Sequence, residues 1–76
     1  MFKMNEPVLV DSPSEALKNE SGVFELVSPQ GEVLLLACEP GLAMGVPERV
    51  SFDPRRTRTD NRWEIKKIAE SPPASA

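Results

Sequence analysis

Val23-Phe24-Glu25-Leu26-Val27-Ser28-Pro29-Gln30-Gly31-Glu32-Val33-Leu34-Leu35-Leu36-Ala37-Cys38 is the stretch that decides the fold. Two β-type runs, the first with two valines and a phenylalanine and the second almost wholly apolar, flank a Pro-x-Gly turn, the composition of a β-hairpin. The second run is apolar in both registers. Val33, Leu35 and Ala37 point one way, and Leu34, Leu36 and Cys38 the other. A strand with one wet face would alternate with polar residues, so this one is expected to be covered on both sides. The short helix, the C-terminal segment or another chain could provide the second cover. A second copy pairing through Leu34, Leu36 and Cys38 would make a homodimer.

Outward from the hairpin, Pro7-Val8-Leu9-Val10-Asp11 reads as a short strand opened by proline, which suits an edge. Ser12-Pro13-Ser14-Glu15 carries a helix start. Ser12 can accept a hydrogen bond from an orphan N–H, Pro13 has no N–H to lose at the first helical position, and Glu15 can reach back to Ser12. About two turns of helix are expected, to about Asn19, and a helix this short must dock Leu17 on the sheet. Residues 40–47 form a loop with two prolines and two glycines, and Arg49-Val50-Ser51-Phe52 alternates like a strand. A polar connection, 55–61, leads to Arg62-Trp63-Glu64-Ile65-Lys66-Lys67-Ile68. Strand is preferred there because Trp and Ile favour pleated surfaces, with a helix as the alternative.

The fold class expected is therefore α+β, mainly β: a small antiparallel sheet of four to five strands with one short N-terminal helix. Residues 1–6 have no period and are expected to fray, residues 7–70 to form one small domain, and the Pro/Ala/Ser tail 71–76 to be disordered.

Composition narrows the chemistry. The 76 residues contain one cysteine and no histidine. No intrachain disulfide can form, and the four N or S ligands of a structural zinc site are missing. Neither a Ser-His-Asp nor a Cys-His pair can be assembled. No catalytic residue, cofactor or metal is expected, and the chain reads as a non-enzyme. Cys38, at the end of the most apolar strand, is a buried small hydrophobe before it is a reactive thiol. A single cysteine fits a reducing compartment, and no run approaches the ~20 apolar residues of a membrane span. A cytoplasmic protein of prokaryotic or viral economy, with no membrane partner, is the expectation.

Charge is segregated along the chain. The net charge is −3, with −5 in residues 1–39 and +2 in residues 40–76, and all seven bases of the second half lie between Arg49 and Lys67. Arg55, Arg56 and Arg58 could grip phosphate or carboxylate groups, with Trp63 available to stack. Asp53, Asp60 and Glu64 are interleaved, so the plainer reading is a solvated loop with Trp63 in the core. Leu42, Met44 and Val46 place apolar side chains in a loop, where they either cap the core or offer a contact patch.

Ser21-Gly22-Val23-Phe24-Glu25-Leu26 with Gly31-Glu32-Val33-Leu34 is similar to the opening hairpin of GIY-YIG nucleases. Phe24 stands where that family has tyrosine, Leu35-Leu36-Ala37 replaces its second motif, and no Arg-helix-Glu arrangement follows. The resemblance implies a hairpin without nuclease chemistry. The function expected is a small protein-binding module (an inhibitor, adaptor or regulatory subunit), possible as a homodimer. It would use Leu42, Met44, Val46, Arg55, Arg56 and Arg58 for a protein partner. The alternative is an accessory protein that binds nucleic acid or phosphate through residues 49–67.

Overall fold

A computed structural model describes residues 2–39 and 45–70; the expected disordered tail and the loop positions Leu42 and Met44 lie outside the described residues. The elements are β1 (Val8–Val10), α1 (Pro13–Ala16), β2 (Gly22–Val27), β3 (Glu32–Cys38), β4 (Glu48–Phe52), a 3₁₀ turn (Pro54–Arg56) and β5 (Trp63–Ala69). They form a five-stranded antiparallel sheet in the order β1-β5-β2-β3-β4. The α+β, mainly β architecture with one short helix is therefore the fold, and residues 63–69 are a strand.

The hairpin turn is built from its own residues. Gly31 N–H donates to the Ser28 carbonyl at 2.9 Å, and Ser28 N–H donates to the Glu32 carbonyl at 2.9 Å. The buried Ser28 hydroxyl accepts from the N–H groups of Gln30 and Glu32 at 3.2 and 3.0 Å. Gly31 sits at φ 89°, and a Cβ there would come within 2.5 Å of the Asp53 carbonyl oxygen. Glycine satisfies both demands, because it alone enters this region without steric cost and leaves room for the passing chain.

The first face of the sheet carries the core. Phe24 and Leu26 of β2, Leu36 and Cys38 of β3, Ile65 of β5 and Leu17 after α1 form one buried cluster, with Phe2, Val10, Ala16, Leu34 and Trp63 packed against it. Leu36 and Cys38 therefore belong to this chain's own interior. The expected dimer strand is corrected on that ground: the face bearing Leu34, Leu36 and Cys38 is already covered from within.

On the second face, Val33 is buried, Leu35 half-buried and Ala37 exposed. β3 is thus covered on both sides only at its turn end. The cover there is none of those anticipated but the segment following β4. Asp53 N–H donates to the Gly31 carbonyl and Arg58 N–H to the Pro29 carbonyl, both at 2.8 Å, which straps residues 53–58 across the hairpin turn.

Two local expectations change. The helix is a single turn, not two, and Ser12 makes no side-chain cap; its hydroxyl instead meets that of Ser14 at 3.1 Å. Asn19, at φ 66°, turns the chain out of the helix towards β2, so the helix stops where Leu17 has reached the core. Residues 2–6, expected to fray, make specific contacts. The Phe2 ring packs edge-on to Phe24 with centroids 5.5 Å apart, and Asn5 N–H donates to the Lys67 carbonyl at 2.8 Å. Edge-on pairing of this kind is favoured between aromatic rings.

A domain of 76 residues is expected to be stable by only about 4–11 kcal/mol. Phe24→Ala should therefore remove about 3–5 kcal/mol, most of that margin. Phe2→Ala, at a half-buried ring, should cost clearly less while lowering the urea midpoint. Equilibrium urea unfolding followed by Trp63 fluorescence measures both; an unchanged midpoint for Phe2→Ala would show that the N-terminal segment does not support the core.

Candidate functional site

The arginine-rich connection is the first place to look, and its geometry differs from a free basic cluster. Arg55, 90 % exposed at its side chain, lies 3.2 Å from Asp53 through its Nε. Arg56 turns onto the second face of the sheet, where Nη2 meets Glu64 at 2.6 Å and Glu25 at 3.7 Å. Arg58 forms a two-pronged contact with Asp60, Nε at 3.1 Å and Nη2 at 2.7 Å. The three side chains thus face three different carboxylates and do not converge on a shared anion position.

The same holds for the remaining bases of the segment. Arg49 meets Glu32 at 3.6 Å, Arg62 meets Asp11 at 3.5 Å, Lys66 meets Glu25 at 3.8 Å and Lys67 meets Glu70 at 3.6 Å. Glu25 and Lys66 are direct cross-strand neighbours, an arrangement that stabilises a strand pair modestly. The interleaved acids Asp53, Glu64 and Asp60 engage Arg55, Arg56 and Arg58, while these four bases pair with carboxylates from outside residues 49–67. Trp63 is half-buried and packs against the core cluster, so its ring is partly used in folding.

Local electrostatics follow from these contacts. The Arg58 hydrogen bonds, joined by the Arg62 N–H, hold the Asp60 carboxyl down to about 2. The Arg55 side chain, then its N–H, lowers Asp53 in the same way. Burial first, and the charge of Glu20 second, push the Cys38 thiol up, which disfavours the thiolate. Among the described residues no three His, Cys, Asp or Glu side chains gather as a metal-binding group, and no helix is long and apolar enough to cross a membrane.

The surface that stands out is β4. It ends the sheet, and all five of its residues are exposed. Val50 and Phe52 remain 50 % and 51 % exposed, and Val46, just before the strand, is 92 % exposed. Of the apolar loop positions proposed from sequence, Val46 is the one within the described residues, and it lies at the surface. Val50 and Phe52 are not singled out by sequence reasoning. Their alternation with Arg49 and Ser51 reads as an ordinary half-buried strand, and only the strand order reveals that no strand among the described residues lies beyond them.

The expected arginine roles can be tested by substitution. Arg56→Ala would leave Glu64 and Glu25 without their shared cation and uncover the second face. Exposed pairs are worth about 0–1 kcal/mol and broken buried ones about 3–5. For this half-buried contact a loss of about 1–2 kcal/mol is expected in urea unfolding. Asp60 provides the pH test. Its folded pKa lies below the unfolded value of 3.8, so its contribution is present above that value and is lost as pH falls from about 4 to about 2. Asp60→Asn should flatten the stability profile in that window and nowhere above it; an unchanged acid limb would refute the Arg58–Asp60 contact.

No protein-family model matches the chain, and no match is found among curated proteins or among solved structures.

Proposed function

We propose that this chain is a small non-catalytic protein-binding module whose contact surface is the exposed edge formed by β4 and the residues just before it. The observation that carries the reading is the half-exposure of Val50 and Phe52, with Val46 exposed just before the strand. Apolar groups grouped at a sheet edge lower their free energy by meeting another protein, and an inhibitor, adaptor or regulatory subunit is the class of protein built this way. A reducing, cytoplasmic setting suits a single, buried, protonated cysteine.

Two further features support a protein partner over nucleic acid. Every base from Arg49 to Lys67 has a carboxylate within 2.6–3.8 Å, so the segment offers little unneutralised positive charge. Phosphate binding draws its affinity from releasing counterions held by the nucleic acid, which needs cations that are free to replace them.

The test is capture by immobilised protein, comparing wild type with Val50→Ser/Phe52→Ser. Both positions are already exposed, so the double variant should keep its unfolding free energy within about 0.5 kcal/mol per substitution. Proteins retained by wild type and lost by the variant would support the reading. Equal retention by both, or retention abolished by nuclease treatment, would overturn it.

A further inference from the structure

Resting on the β4 reading, we infer that the edge takes up an extended segment of a different protein by strand addition, and that this segment combines apolar with basic residues. The backbone defines the acceptor positions. On β3, the Glu32 carbonyl accepts from Ser28, so Glu32 and, by alternation, Leu34 turn their main-chain groups towards β2. Their partners on β4 are Phe52 and Arg49. In an antiparallel ladder such pairs exchange no hydrogen bonds, and the N–H and C=O groups of Phe52 and Arg49 point away from the sheet. They form an open row of donors and acceptors beside the exposed Phe52 side chain.

The edge is guarded in a way that selects a short guest. A register shift lies between the Val33–Ser51 and Leu34–Arg49 pairs, leaving Val50 as the extra residue, and Pro47 and Pro54 bracket the strand. Bulges, prolines and charges of this kind suppress indiscriminate edge pairing. What remains open between them is the run Glu48–Asp53.

Charge decides between a foreign segment and a second copy. With every base of residues 49–67 engaged, the carboxylates without an ion-pair partner among the described residues are Glu6, Glu15, Glu20, Glu39 and Glu48. Glu48 lies on β4 itself, and Glu39 directly follows the neighbouring β3. Self-pairing of β4 about a two-fold axis would oppose residues on the same face of the sheet. Glu48 and Arg49 lie on opposite faces, so neither copy could offer its arginine to the other's glutamate. Two chains of net charge −3 would also repel. A basic, apolar segment meets Glu48 with a cation and Phe52 with an aliphatic side chain, and main-chain bonds supply the rest.

The probe is a synthetic peptide of three Lys-Val repeats, with a Glu-Val peptide and an N-methylated Lys-Val peptide as controls. Amide exchange and chemical shifts are read by NMR on the full chain. The Lys-Val peptide should slow exchange at Arg49 and Phe52 by at least about tenfold at saturation, with shifts confined to β4 and its neighbours. Its affinity should fall as salt is raised, the Glu-Val peptide should bind at least about tenfold more weakly, and N-methylation should abolish protection. Unchanged exchange at Arg49 and Phe52, equal binding of the acidic peptide, or sedimentation of the free chain as a dimer would each overturn the inference. A captured protein lost on Val50→Ser/Phe52→Ser, with no protection by the peptide, would leave the binding reading standing and remove strand addition alone.

Discussion

β5 is held on both sides. Ile65, fully buried at its centre, pairs with Val8 of β1 on one side and with Leu26 of β2 on the other. Both pairings are long-range in sequence, so neither edge of β5 forms until the chain has nearly closed on itself, and loop-closure entropy opposes both. The compensation is the core: Ile65 sits between Phe24, Leu26 and Leu36 on the face that Leu17 and Phe2 cover. Remove that strand and β1 loses its only strand neighbour among the described residues, while β2, β3 and β4 remain as a three-stranded meander that has lost Ile65 from its core. The N-terminal segment depends on β5 as well, since Asn5 is anchored to the Lys67 carbonyl.

With β5 in the centre, the remaining elements are distributed by what they can cover. The single-turn helix and Phe2 serve the first face. The segment from Asp53 to Arg58 serves the turn end of the second, bonded to Gly31 and Pro29 by backbone groups and to Glu64 and Glu25 through Arg56. Covering stops there. β4 is bonded on one side only, and its apolar residues stay exposed because no segment among the described residues lies beyond it. The contact surface and the folding economy of a small chain thus have one origin.

Much of this was legible from residues alone. The hairpin could be read from Ser28-Pro29-Gln30-Gly31 because the turn chemistry is local: the Ser28 hydroxyl and carbonyl take up the N–H groups of Gln30, Gly31 and Glu32 within five residues. Leu17 could be assigned to the core because a short helix has no other source of stability. The arginines misled because charge in sequence carries no direction. Arg55, Arg56 and Arg58 look like a cluster, yet backbone turning at the 3₁₀ segment sends them to Asp53, Glu64 and Asp60. The double-sided apolarity of β3 misled in the opposite sense, suggesting a partner chain where a strap of the same chain does part of the covering.

The sequence by itself determined the hairpin and its turn, the absence of histidine-based chemistry and the segregation of charge, since each depends on composition or on neighbours a few residues apart. It left residues 62–68 open between strand and helix. Only the tertiary structure decided the strand order, and with it which apolar residues are core and which are surface. Leu36 and Phe52 are both large apolar residues on strands flanked by turns. One is buried and the other half-exposed because β3 has a strand on each side and β4 does not. Such a difference is set by long-range pairing, which no local pattern encodes.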